Sequence, residues 1–549
     1  MLEPLSPRVL LVFPRFNDNS FWSFKEPCEL QGARASAPPL GLITLAAMLP
    51  ATWQLTLIDC NVQTLDEDDV RNADLVMTGG MLPQEPDAIR VIGLCRANGV
   101  PVCVGGPAAT SSPENYEDAD FLVCGEAESV IGDFVATWER GERRGRFTAP
   151  KFQADVTATP IPRFDLLEFR NYLYIGVQFS RGCPFTCEFC DIIELYGRKP
   201  RTKSTPQMLA ELDRLLALGY RGHVDFVDDN LIGNKRAVKL FLPHLVAWQQ
   251  RHGYPFRFST EASLNLSDDP ELLAMMRAAN FFVVFIGIET PDEATLVQTQ
   301  KKQNTRRSIT ESVHRIYAAG MFVTAGFIVG FDTEEASIAD AMIDCITDTA
   351  IPSAMVGLLT ALPNTQLQRR LEREGRLFEK FSRISTVTGD QCTAGLNFVT
   401  RRPRREILAD YRRILAAVYD PARYFERVRT VGLALDRPRF AGTTPAWHLV
   451  LRDLHGLLRL CWRMSVKRPE LAWRFWRVFA TLIRRNPRAL EYALMNVALF
   501  LHLYPFSRYV IGELDAQIAA IDRGDYVEPP AMAAGVAVAC GVRSLAAVA

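Results

Sequence analysis

Three cysteines constrain this chain more than any other feature. They lie in Arg181-Gly182-Cys183-Pro184-Phe185-Thr186-Cys187-Glu188-Phe189-Cys190, a C-x3-C-x2-C array just after the apolar run Tyr172-Leu173-Tyr174-Ile175-Gly176-Val177-Gln178-Phe179. Iron–sulfur clusters are held by Cys thiolates, and a [4Fe–4S] cube takes one ligand per iron. Three close thiols hold three irons and leave the fourth open to an outside ligand. Such a site is a candidate catalyst and not only an electron wire. Cys187-Glu188-Phe189-Cys190 alone could be a redox dithiol or half of a zinc site. A zinc site takes four ligands from paired motifs, but no second C-x-x-C exists, and the nearest other cysteines are Cys124 and Cys345.

The chain has 549 residues, too many for one core, so two or three domains are expected. Its 62 basic and 63 acidic residues give a net charge of −1, which carries no nucleic-acid signature. Twelve cysteines spread over this length are no disulfide scaffold, and thiolate ligation suits a reducing, intracellular compartment. Met1-Leu2-Glu3-Pro4 lacks a basic leader, and the run from Val9 to Phe13 is too short for a signal core. No run reaches membrane-span length; the nearest, Ala493 to Tyr504, is interrupted by Asn496 and His502. A cytoplasmic protein is expected, with a small-residue tail over 531–549 expected to be disordered.

Residues 1–145 read as strands alternating with helices, the pattern of a doubly wound, Rossmann-like α/β sheet. Strand candidates are 8–13, 54–58, 73–77, 100–104 and 120–123. Their carboxyl ends carry Thr78-Gly79-Gly80, Gly105-Gly106-Pro107 and Gly125-Glu126. Ligands bind beyond those ends in such sheets, and glycine permits close approach of backbone to a bulky group. Gly after a strand is also an ordinary turn. Residues 146–170 read as a linker, with charges and Pro150, Pro160 and Pro162.

Residues 171–375 repeat the alternation six times, which fits a partial (β/α)6 TIM-like barrel with its site at the strand carboxyl ends. Those ends carry Asp228-Asp229-Asn230, Glu261, Glu289, Gly326-Phe327-Ile328-Val329-Gly330 and Asn364. Each could instead cap the next helix. Residues 376–530 read as mainly helical. Within 451–490, ten arginines and lysines face only Asp453 and Glu470, interleaved with Trp462, Trp473 and Trp476. Basic amphipathic helices with Trp lie on anionic membranes, although such helices more often face a core.

The cysteine array resembles the signature of radical S-adenosylmethionine (SAM) enzymes. The N-terminal layout resembles the cobalamin-binding domain that precedes it in one class of them. Further strings extend the resemblance to bacterial hopanoid C-2 methylases: Cys190-Asp191-Ile192-Ile193-Glu194-Leu195-Tyr196-Gly197-Arg198, Val227 to Lys235, Lys301-Lys302-Gln303-Asn304, and Met355 to Leu359. The resemblance implies a [4Fe–4S] cluster on Cys183, Cys187 and Cys190, with SAM on the open iron. Phe189 would pack near adenine, Asp228, Asp229 and Asn230 would serve the amino-acid part, Glu289 the ribose, and Gly326, Ile328 and Gly330 the adenine edge, with Glu261 a further contact. Cobalamin would rest on Thr78, Gly79, Gly80, Gly105, Gly106, Pro107, Gly125 and Glu126. All seven histidines lie at or after position 223, so this domain would give cobalt no imidazole.

The implied reaction is methylation of an unactivated carbon of a polycyclic lipid, the methyl carried by cobalamin from one SAM and the carbon activated by a radical from a second. A ferredoxin or flavodoxin would supply electrons. Two alternatives share the motifs: a radical SAM cyclase or oxidase without methyl transfer, and a nonenzymatic cobalamin or redox sensor.

Overall fold

The computed structural model describes residues 6–17, 19–379, 392, 395–440 and 447–533. The N-terminal sheet contains β1 (Arg8–Phe13), β2 (Gln54–Asp59), β3 (Leu75–Gly79), β4 (Val102–Gly105), β5 (Phe121–Cys124) and β6 (Gly145–Thr148). All pairs are parallel, in the order β2-β1-β3-β4-β5-β6. The strands are apolar on both sides because helices cover both faces. Leu10, Val12 and Val76 pack with helix Glu85–Ala97 on one face. Val9, Leu11 and Met77 pack on the other, with Ala46 and Phe134 from helices Leu40–Met48 and Ile131–Glu139. The chain crosses from β2 on one side of β1 to β3 on the other, a topological switch point that opens a crevice above the strand ends.

The boundary expected at 146 falls inside β6. One apolar side chain makes that charged stretch a strand: Phe147 packs on Phe121 and Phe134 with ring centroids 6.5 and 5.8 Å away. The segment after β6 is not an exposed tether, since Ala154, Val156 and Phe164 are buried.

The second sheet begins with β7 (Ile175–Val177), after which β8 (Ser180–Arg181) and β9 (Arg201–Thr202) form a short antiparallel pair. Strands β10 (Gly222–Phe226), β11 (Phe256–Ala262), β12 (Phe281–Glu289), β13 (Phe322–Val329) and β14 (Ala354–Leu358) continue it in parallel. The order β14-β13-β12-β11-β10-β7 does not close, so this is the open six-stranded barrel expected. Helices cover its outer face, where Val224, Phe226, Phe258, Val284 and Val323 are buried. Helix Thr205–Ala217 begins on a Ser204/Gln207 capping box.

The helical region contains Arg404–Val418, Pro421–Ala434, Trp447–Trp462, Pro469–Arg485 and Leu490–Arg523. One helix, 487–523, is long and apolar enough to cross a membrane by length and composition, where the sequence alone shows no such run. It packs as a core helix: Val497, Phe500, Leu503, Val510 and Leu514 are buried, as are the interrupting Asn496 and His502. His502 faces Glu26, Nδ1 to Oε2 at 3.2 Å. Residues 19–39 lie away from the N-terminal sheet to make that contact, and place Trp22 6.0 Å from the Phe285 ring of β12. Of the expected disordered tail, 531–533 are described, and Met532 N–H donates to Leu377 O at 2.7 Å; 534–549 lie outside the described residues.

Candidate active site

The β8–β9 pair brackets the cysteine loop. Gly182 has φ +95°, and a Cβ there would lie 2.8 Å from Gly197 O, so the residue before Cys183 must be glycine. Two carboxylates at the end of β10 hold this entry. Asp228 accepts from Phe179 N–H at 3.0 Å, from Ser180 N–H, and from Ser180 Oγ at 2.5 Å. Asp229 accepts from Gly182 N–H at 2.9 Å. Burial pushes Asp228 up to about 7 and Asp229 up to about 6. Both serve the backbone that carries Cys183; Asp228 is buried with both oxygens engaged, in place of the open rim position expected for a SAM contact, whereas Asp229 is half-buried.

Beyond that entry, Asn230 Nδ2 lies 3.9 Å from Cys183 Sγ and donates to Ser263 Oγ at 3.1 Å. Gln303 Nε2 lies 3.6 Å from Cys187 Sγ. Glu188 anchors the loop from behind: its N–H donates to Thr299 O, its carbonyl accepts from Leu367 N–H, and its carboxylate pairs with Arg370 at 2.5 Å. Among the described residues no three His, Cys, Asp or Glu side chains converge as they would around a single ion. A cube takes each thiolate on a different iron, so its ligands stand apart. Burial raises the Cys183 and Cys190 thiols, and the Lys301 cation opposes that rise at both. The donor set fits a cluster: three thiols, two amide N–H donors aimed at sulfur, and one buried cation.

In the sequence Lys301 stands out only as part of a string; the structure puts it at the centre of the site. Its Nζ lies 2.6 Å from Glu289 Oε1 and 5.9 Å from the Phe189 ring centroid. Glu289 has φ +70° at a register shift in β12, a costly conformation for a residue with a side chain, of the kind that clusters at functional sites. Asn304 Nδ2 donates to Gly287 O and Ile288 O at 2.9 and 3.0 Å. The amide oxygens Gln303 Oε1 and Asn304 Oδ1 are buried without a partner. Buried orphan acceptors beside a thiol loop suit a ligand that brings N–H or O–H donors, as the SAM ammonium and ribose do.

Phe189 meets the Phe331 ring at 5.8 Å. Gly326 sits under Phe285, where a Cβ would lie 3.2 Å from Cζ, and Ile328 is half-buried. Gly330 has φ +104°, and its N–H donates to Glu334 Oε2 at 2.9 Å, so that donor is used within the chain. Glu261 stands inside the barrel, reachable by water, yet burial and the nearby Asp225, Asp229 and Asp228 push it up to about 8. Asn364 leaves the rim, donating to Ser111 O of the N-terminal domain at 2.9 Å.

Between the two sheets lies a cavity of about 450 Å³. Thr78, Gly79, Gly80, Gly105, Gly106, Pro107, Gly125 and Glu126 all line it; Gln178, Arg181, Tyr196, Lys203 and Val227 close it from the barrel side. Several of these residues have duties inside the chain. A Cβ on Gly79 would lie 2.5 Å from Gly105 O, so that glycine lets two strand ends approach each other. Thr78 Oγ1 donates to Val12 O at 2.8 Å. The Glu126 carboxylate takes Arg181 at 3.2 Å and Arg201 at 2.8 Å, and Arg181 also pairs with Glu128 at 2.7 Å. Backbone at the glycine turns and the apolar walls Leu45, Met48, Met77 and Ile131 remain to meet a ligand. That fits the nucleotide tail of cobalamin, and among the described residues no histidine lines the cavity.

A glycine-looped Rossmann cavity set against an open barrel that carries three thiols defines the class of cobalamin-binding radical SAM proteins. Residues 32–135 match the B12 binding domain family, 177–345 the radical SAM superfamily, and 365–516 a domain of unknown function (DUF4070). The chain is 44% identical over 513 residues to an uncharacterized methyltransferase of Synechocystis sp., covering 93% of this chain and 94% of the relative. It is 35% identical over 512 residues to the hopanoid C-2 methylase of Rhodopseudomonas palustris, covering 92% and 94%. In fold it is similar to the cobalamin-dependent SAM radical enzyme OxsB (TM-score 0.58, 16% identity, 95% of this chain and 82% of that one). It is also similar to the radical SAM methyltransferase TsrM of Kitasatospora setae (TM-score 0.57, 14% identity, 82% and 99%). The chain belongs to the cobalamin-dependent radical SAM methyltransferases.

Proposed function

We propose that this enzyme methylates an unactivated carbon of a polycyclic lipid, with C-2 of a hopanoid as the position modified. The observation that carries the reading is the junction of the two sheets: Arg181, two residues before Cys183, lines the cavity over the glycine turns. The 35% identity to a hopanoid C-2 methylase over nearly its whole length supports the choice of substrate.

When bound, cobalamin supplies the methyl carrier, and the cluster with SAM supplies the radical chemistry. The chain's part is positioning and exclusion of water. Asn230 and Gln303 fix the sulfurs of Cys183 and Cys187. Lys301 places a positive charge beside the thiolates, held by Glu289. The amide oxygens of Gln303 and Asn304 orient donors of SAM, and Phe189 supplies an apolar wall. Trp22 and Phe285 give the barrel interior aromatic surfaces suited to a fused-ring hydrocarbon. A ferredoxin or flavodoxin is the reductant class that fits, and the 451–490 region gives contact with the membrane holding the substrate.

Lipid profiles of a host strain with and without the gene test this. Loss of the methylated hopanoid on deletion supports the reading. An unchanged hopanoid profile overturns it.

A further inference from the structure

The helix Trp447–Trp462 presents an apolar stripe to solvent. Trp447, Leu451, Leu454, Leu458 and Trp462 recur at steps of four and three on one face, with exposures of 72, 55, 49, 58 and 52%. Val466, in the π-helical turn Arg463–Lys467, extends the stripe. The next helix adds Trp473, 75% exposed, and Trp476, whose Nε1 donates to Ser465 Oγ at 3.1 Å. That bond ties the second helix to the turn that follows the first. The second helix buries an inner face through Leu471, Phe475, Val478 and Leu482, and the first is anchored at its end by Leu460 and, in the turn, Met464. The outer stripe is therefore surplus to folding, and exposed apolar patches of this size mark interaction sites.

We propose that this face docks on an anionic lipid bilayer, with the Trp447–Trp462 helix lying in the plane of the interface. Charge selects the occupant. Between 447 and 490 the chain carries ten arginines and lysines and two carboxylates, although its net charge is −1. Basic side chains flanking an apolar stripe with Trp suit anionic headgroups over acyl chains. A second copy docking through the same face would set these cations against each other.

The position of the helix gives the docking a purpose, which rests on the lipid-substrate reading above. Arg459 donates to Glu29 O at 3.2 Å, and Arg463 pairs with Glu29 at 2.7 Å. The docking helix thus rests on Lys25–Gln31, directly after the turn that sets Trp22 against Phe285 of the barrel. A lipid leaving the bilayer beside this helix meets Trp22 and then the barrel interior.

Flotation of the full-length protein with vesicles of phosphatidylcholine, with and without phosphatidylglycerol and without hopanoid, tests the docking apart from the substrate. The protein floats with the phosphatidylglycerol vesicles and is released by salt. Leu451→Ser/Leu458→Ser/Trp462→Ser lowers binding by at least about tenfold, as expected for removing three apolar side chains from the buried contact. Arg474→Glu/Arg477→Glu abolishes the phosphatidylglycerol preference. The three-site variant keeps the parent melting temperature; if it does not, Trp473→Ser on the second helix decides the matter by the same assay. Absence of flotation, equal flotation of parent and variant, or a parent dimer that the stripe variant dissolves overturns the proposal. Flotation with an unchanged host lipid profile retains the docking and removes only the hopanoid substrate.

Discussion

Arg181 Nη1 lies 3.2 Å from Glu126 Oε1, joining the approach to the cysteine loop to the turn after β5. The same guanidinium pairs with Glu128 at 2.7 Å, and all three side chains are nearly shut off from water. The loop of the cluster domain and the loop of the cobalamin domain are therefore one electrostatic unit. A shift of either displaces the other, which fits a reaction whose methyl donor and radical must meet over one substrate carbon.

Arg181→Met should destabilise the protein by about 3–5 kcal/mol, the cost of stranding a buried charge. Arg201 still reaches Glu126, so Glu128 bears the loss. Burial opposes the Glu128 charge, but the hydrogen bond and charge of Arg181 outweigh it and lower the Glu128 pKa. A lowered folded pKa stabilises above the unfolded value and is lost as pH falls through the folded one. The gap between parent and variant should be full at neutral pH and close in acid, read by thermal melts across pH.

Gln303→Leu removes an N–H donor from Cys187 Sγ. Hydrogen bonds to cluster sulfurs help to set the potential, and a lost donor destabilises the reduced, more negative state. The midpoint potential of the reconstituted cluster should fall relative to the parent, measured by an EPR-monitored titration without SAM. Gln303→Glu should lower it further, because it adds a negative charge.

Lys301→Met leaves Glu289 buried without its cation and should cost about 3–5 kcal/mol. Lys301→Met/Glu289→Gln removes both charges and should recover most of that loss. A double-mutant cycle on the apo protein measures the coupling.

Glu261 is open to water at its tip, but desolvation by the surrounding barrel wall and the carboxylates of Asp225, Asp229 and Asp228 raise its pKa to about 8. A raised folded pKa favours the folded state below the unfolded pKa, and that contribution is lost as pH rises through the folded value. Glu261→Gln should therefore melt at or below the parent temperature in mild acid and above it at pH roughly 9, past the raised pKa. Melting curves across that range check the crossover.

The features legible in the sequence are those written in adjacent residues. The cysteine spacing, the glycine strand ends and the six β/α repeats are local patterns, and the structure places them as expected. Partners far apart in the chain are not legible. Gln303 lies 116 positions from Cys187, and Arg181 lies 55 from Glu126. Nothing in the Lys301 to Asn304 string announces that it returns to the cysteine loop, although four polar residues soon after a barrel strand are a signal. Gly79 suggests ligand approach in the sequence, whereas contact with Gly105 already requires it. Asp228 suggests a rim group, whereas it holds backbone. A sequence marks where polar groups occur but not which of them the fold has already paired.

The most direct measurement is an anaerobic reaction of the cluster-reconstituted, cobalamin-loaded enzyme with SAM, a reductant and a hopanoid lacking the C-2 methyl. Methylated hopanoid should form together with 5′-deoxyadenosine and S-adenosylhomocysteine, all dependent on cobalamin except the deoxyadenosine. Cys183→Ala should form neither the methylated product nor 5′-deoxyadenosine. Product formed without cobalamin, or 5′-deoxyadenosine formed undiminished by Cys183→Ala, would rule out cobalamin-dependent radical methylation at this cluster.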